Sequence, residues 1–117
     1  MNTSNQIQSY LPLTEVTYFI LLCLSPGPRH GYAIMKDVGE LSDGRVILST
    51  GTLYGALKRL LDQGWILRTE DPNANHTRRE RKNYRLTDLG SQVLAAELER
   101  LDSLVAAAKL QAVGDAS

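Results

Sequence analysis

At 117 residues the chain has room for one domain with a modest core. It is 43% hydrophobic and 22% charged with zero formal net charge, and no run reaches the roughly 18 apolar residues that a membrane-crossing helix needs. A single cysteine, Cys23, excludes an intrachain disulfide framework and fits a reducing, cytoplasmic setting. Zero net charge taken whole argues against nucleic acid, but its distribution does not. Residues 45–85 hold nine Lys/Arg against four Asp/Glu, net +5, whereas residues 1–44 are net −2 and residues 86–117 net −3. The positive charge is a localised central patch.

In chain order, residues 1–9 are polar and either disordered or partly helical, and Tyr10, Leu11 and Leu13 fold back on the core or on a partner. Thr14 caps a first helix to about Leu24, with Val16, Phe19, Ile20, Cys23 and Leu24 as its buried stripe. Ser25-Pro26-Gly27-Pro28 stops it. A second helix follows over about 31–39, with Tyr32, Ile34, Met35 and Val38 supplying apolar contacts. Residues 41–48 are a connector with the turn signal Asp43-Gly44.

The third helix, from Ser49 to about Leu61, is the centre of the chain. Leu53, Ala56, Leu57, Leu60 and Leu61 fall at the spacing of a core-facing stripe. Gly51, Gly55 and Lys58 lie opposite, with Thr52 and Arg59 on one flank and Tyr54 on the other. Ser49 or Thr50 is the N-cap, and the free amides behind it suit a phosphate. Small residues leading and cations behind are what a recognition helix in a major groove needs. The plainer alternative is an amphipathic core helix with a solvated outer face.

Gly64 ends that helix, and residues 64–70 read as a strand. Residues 71–76 are turn formers, and residues 78–86 return as a second strand with Tyr84 and Leu86 on one face. Arg78, Arg79, Arg81 and Lys82 give this β-wing a basic end, more charge than solubility requires. Trp65 reads as core. Thr87 caps a last helix to about Val113, along which Leu94, Leu98, Leu101, Val105, Ala108 and Ala112 form a heptad seam. So long a helix on so small a domain packs against a second copy or folds back over its own domain; the seam favours the dimer. The fold class is mainly α (α+β): a winged helix-turn-helix, residues 1–86 with an N-terminal extension over 1–12, carrying a two-stranded wing, followed by a C-terminal dimerisation helix, residues 87–117.

Four blocks then resemble the PadR family of bacterial transcriptional regulators, in its short form with one C-terminal helix. They are Leu13-Thr14-Glu15; Gly27-Pro28-Arg29-His30-Gly31-Tyr32-Ala33-Ile34; Ser49-Thr50-Gly51-Thr52-Leu53-Tyr54 with Ala56-Leu57-Lys58-Arg59-Leu60 and Gly64-Trp65-Ile66; and Lys82-Asn83-Tyr84-Arg85-Leu86-Thr87-Asp88-Leu89-Gly90. Together they cover residues 13–90 in the family's order, a specific combination of individually weak pieces. The resemblance implies a homodimeric repressor that binds operator DNA and is released by a small effector. It places Tyr32 on the phosphate backbone, Ser49, Thr50, Gly51, Thr52, Tyr54 and Lys58 in or beside the major groove, and Arg78, Arg79 and Lys82 on the wing. Gly55 stands where the family usually has proline, and Asn83 where it often has an aromatic. Some short members bind flat aromatic drugs between tryptophans of the last helix; this chain has no aromatic residue after Tyr84.

The resulting expectation is a sequence-specific transcriptional regulator, with double-stranded DNA and a second copy as partners, no membrane and no cofactor. Its operator is a short inverted repeat, and an effector, a protein partner or a redox input shifts the last helices. The alternative is a winged-helix protein-interaction module that has lost DNA binding, which zero net charge and Glu80 amid the wing cations favour. Catalysis has little support. No nucleophile has a spaced base, there is no glycine-rich phosphate loop, and one cysteine with His30 and His76 makes no recognisable metal site.

Overall fold

The computed structural model describes residues 3–70 and 82–116, with side chains over 5–70 and 82–112. The elements are α1 (Thr3–Ser9), α2 (Glu15–Leu24), β1 (Arg29–His30), α3 (Gly31–Leu41), α4 (Thr50–Asp62), β2 (Ile66–Glu70), β3 (Lys82–Leu86) and α5 (Asp88–Ala116). This is a winged helix with a long C-terminal helix. The wing is three-stranded rather than two-stranded, because β1 adds to the outer side of β3 in the order β1-β3-β2. Both pairings are antiparallel, with Arg29 opposite Tyr84 and Arg68 opposite Tyr84. Two residues between prolines and a helix start are too short to announce a strand by periodicity.

The core gathers Ile20, Leu21 and Leu24 of α2, Ile34 and Val38 of α3, Leu53, Leu57 and Leu60 of α4, Trp65 and Ile66, Tyr84 of β3 and Val93 of α5. Because α2 packs on α3, β3 and α5 together, its buried surface is wider than one stripe. Thr17 and Leu21 are buried along it, while Val16 and Phe19 are only half-buried. Thr14 caps it, accepting from Thr17 N. Of the apolar contacts expected along α3, Ile34 and Val38 are buried and Met35 is half-buried. Tyr32 is the exception and is 74% exposed. The N-terminal extension is ordered onto its own protomer: α1 packs on α5, Ile7 is buried, and the Tyr10 ring meets Trp65 edge-on at 5.1 Å.

Two junctions fix the wing. At the first, α4 ends in a Schellman motif, with Trp65 N donating to Leu60 O and Gly64 N to Leu61 O, both at 3.0 Å. Gly64 sits at φ +76°, where glycine carries no Cβ penalty. At the second, the Thr87 hydroxyl caps α5 by accepting from Gly90 N at 3.0 Å and donates to Gly64 O at 2.6 Å. Thr87 N also donates to Trp65 O. A Cβ on Gly90 would run into the Trp65 carbonyl, so the helix approaches the hairpin this closely only through glycine.

The stripe of α5 that faces its own domain includes Gly90, Val93, Leu94 and Glu97, all buried. Leu94, read from the sequence as the start of the dimer seam, is 5% exposed within the single chain and belongs to the protomer's own core. The same stripe continues outward as Leu101, Leu104, Val105 and Ala108, and every described residue from 102 to 112 is exposed.

Candidate nucleic-acid interface

α4 begins at Thr50 because Ser49 caps it, settling the choice between the two hydroxyls. Ser49 Oγ accepts from Thr52 N at 3.2 Å and donates its proton to Thr52 Oγ1 at 2.9 Å. The Ser49 hydroxyl is therefore spent on the cap. Thr52 Oγ1, already accepting, is left with its own O–H to donate outward. The first turn carries no acidic residue, so the partial positive charge of its amides is uncompensated. Ser49, Thr50, Gly51, Thr52, Tyr54 and Lys58 are all exposed along this helix, as are Gly55 and Arg59, while Leu53, Ala56, Leu57 and Leu60 are buried behind them. At Gly55 nothing lies within 4 Å of where a Cβ would stand, so that position leaves the outer surface open.

Tyr54 leans toward α3. A Cβ on Gly31 would stand 2.6 Å from the Tyr54 hydroxyl, so the helix start and the ring share space that only glycine leaves open. Burial pushes the Tyr84 hydroxyl above the ordinary tyrosine range, and Tyr54 adds to the rise while Arg68 opposes it through its charge and a hydrogen bond. Arg68 thus bonds Tyr84 across the wing, a pairing that no sequence spacing announces because strand register decides it. Tyr32 is adjacent to Gly31 and projects into solvent beside this cluster. Lys82 opens β3 opposite Glu70, and His30 Nδ1, in the tautomer protonated there, donates to its carbonyl at 3.3 Å. Arg78 and Arg79, expected on the wing, lie outside the described residues.

Among the described residues, Arg29, Arg45 and Arg100 are paired with acids. Arg45 grips Glu15 through both carboxylate oxygens at 2.7 and 2.9 Å, and Arg29 pairs with Asp37 at 3.4 Å. Cys23 is buried, and burial first, then Asp37, pushes its thiol up to about 12 despite Arg29. A thiol held protonated is a poor nucleophile. Among the described residues no group of three His, Cys, Asp or Glu could hold a metal, and no helix is long and apolar enough to cross a membrane.

Residues 20–96, spanning α2 to the first third of α5, match the Transcriptional regulator PadR-like family. The chain belongs to the PadR family. Over 102 residues it is 29% identical to the Transcriptional regulator YqjI of Escherichia coli (strain K12), an overlap covering 87% of this chain and 46% of that protein. The chain therefore spans about half the length of the curated relatives it matches. Among solved structures, a transcriptional regulator from Clostridium thermocellum, Cth-833, matches with TM-score 0.64 at 25% identity, covering 93% of this chain and 96% of that one. Bacillus subtilis PadR in complex with operator DNA matches with TM-score 0.63 at 32% identity over 74% of this chain and 47% of that one. Both likenesses extend the family assignment to the winged-helix fold described above.

Proposed function

We propose that the chain is a sequence-specific DNA-binding transcriptional regulator, acting as a homodimeric repressor that an effector releases. The observation that carries this reading is the outer face of α4: seven exposed residues from Ser49 to Lys58, including two cap-ordered hydroxyls and a cation, with no acid in the first turn. The solved complex of Bacillus subtilis PadR with operator DNA supports it.

In this reading α4 enters a major groove. Thr50, Thr52, Tyr54 and Lys58 meet base edges, and Thr52 is suited to an acceptor such as guanine O6 or N7. Tyr32, Lys82 and the wing residues Arg78 and Arg79 meet phosphates and supply most of the affinity. The seam of α5 beyond Glu97 pairs two copies, setting two α4 helices roughly 34 Å apart on an inverted repeat. Effector binding between the α5 helices would change that spacing, a two-state element biased by ligand. Dimethyl sulfate footprinting on the DNA upstream of the gene tests the reading. Protection of guanine N7 in two major-groove segments one turn apart is expected. A protein that leaves every guanine reactive is the interaction module instead.

A further inference from the structure

Two clefts flank α3, and they differ in charge. One, between α2 and α3, is lined in part by Arg29, Asp37 and Glu40, and a polyanion would meet two carboxylates there. The other is a groove of about 350 Å³ between α3 and the connector leading into α4, lined by Tyr32, Met35, Lys36, Gly39, Ile47 and Leu48. None of those six is acidic. Leu48 and the half-buried Met35 form its apolar floor, and Gly39 keeps one side low. Ile47 and Tyr32 stand in solvent at 82% and 74% exposure. Single exposed apolar residues are ordinary, but an isoleucine, a tyrosine and a lysine lining one groove are an amphipathic arrangement. The groove runs into the α4 face, since Leu48 precedes the cap residue Ser49 and Tyr32 follows Gly31, which touches Tyr54.

We propose that this groove seats the sugar-phosphate strand that flanks the bases read by α4. The Lys36 ammonium pairs with a phosphate, and Ile47 and Tyr32 pack on the deoxyribose to either side. The inference rests on the DNA-binding reading above and adds Lys36 and Ile47 to the interface. Neither falls in the sequence blocks that point to DNA. Deoxyribose presents an apolar edge at each repeat of the strand and phosphate presents a charge, so an alternating apolar and cationic groove fits it. An enclosed small ligand does not need two such exposed walls. Contacts of this kind position the protein without reading sequence, so they strengthen binding to every duplex alike.

The test is fluorescence anisotropy of the full chain on its upstream DNA and on a scrambled duplex, over a range of salt, for the unaltered protein, Lys36→Gln and Ile47→Ala. Both side chains are exposed, and unchanged thermal melting of each variant establishes that it is folded. Lys36→Gln is expected to lower the salt slope by about 0.9 per protomer on both duplexes. Ile47→Ala is expected to weaken binding about tenfold with the slope unchanged. If the unaltered protein binds with a steep slope and neither variant differs from it, the groove is not a DNA contact and the inference falls alone. A change in sedimentation mass with Ile47→Ala would assign the groove to contact between copies and overturn it as well. If the unaltered protein binds no duplex, the DNA reading fails and the inference with it.

Discussion

Among the described residues Glu97 is the buried carboxylate, 2% exposed at the point where α5 leaves its domain. It accepts from Leu13 N at 2.8 Å and from the Arg100 guanidinium through both oxygens. The Arg100 hydrogen bond, opposed by burial and helped by Leu13, holds its carboxyl below the usual carboxylate range. A depressed folded-state value means that its contribution is fully present above the ordinary carboxylate range and is lost as pH falls through the lowered value. Glu97→Gln should therefore cost about 1–3 kcal/mol near neutral pH, where Arg100 and Leu13 lose a charged acceptor, and flatten the acid limb of the stability curve. Chemical denaturation from neutral to strongly acid pH checks this; an unaltered acid limb would show that other carboxylates set it. At Gly31 the expectation is the reverse, function lost without stability. Gly31→Ala meets only the far end of the Tyr54 side chain, so the ring can swing and the melting temperature should move little. Displacing a ring of the recognition face should weaken DNA binding about tenfold, or ~1.4 kcal/mol, in a filter-binding assay.

Among the elements, α4 was the most legible. Its stripe, its cap and its glycine stop are all local, and the structure keeps Leu53, Ala56, Leu57 and Leu60 buried and Ser49 capping. Turn chemistry at Asp43-Gly44 was equally local, and both residues take positive φ. The features the sequence hid are those set by distant partners. Leu21 is buried because three elements surround α2, and β1 exists only because β3 is there to pair with it. Leu94 fits a heptad as well as any seam residue does, yet its neighbours are in its own core, since periodicity gives a face and not what covers it. Gly90 likewise carries no local sign that the Trp65 carbonyl sits against it. In the candidate site the exposed α4 residues were readable from spacing. The Arg68–Tyr84 pairing behind it was not, because a strand register makes it.

At the scale of the whole molecule, α5 is 29 residues long, about 43 Å at 1.5 Å per residue, and every described side chain of its outer stretch, 102–112, is exposed in the single chain. Leu104 and Val105 are more than half exposed there, on the stripe that continues from the buried Val93 and Leu94. If that stripe pairs two copies, Val105→Asp should reduce the sedimentation mass from twice 12.9 kDa to 12.9 kDa. Leu110→Glu, on the far side of the helix, should leave the mass unchanged. Losing the dimer should also cost DNA affinity about a hundredfold or more, because the second half-site is then no longer held at high effective concentration.

In the proposed function the α4 face and its neighbouring cations bind DNA electrostatically and read its sequence. The most direct test is the salt dependence of binding to upstream DNA, by fluorescence anisotropy, for the unaltered protein and Lys58→Ala. Preference for the upstream fragment over random DNA is expected, with a slope of about −0.9 for each phosphate neutralised. With Lys58→Ala, binding should weaken and the slope become shallower. Binding no tighter than to random DNA, or a slope that Lys58→Ala leaves unchanged, would contradict it.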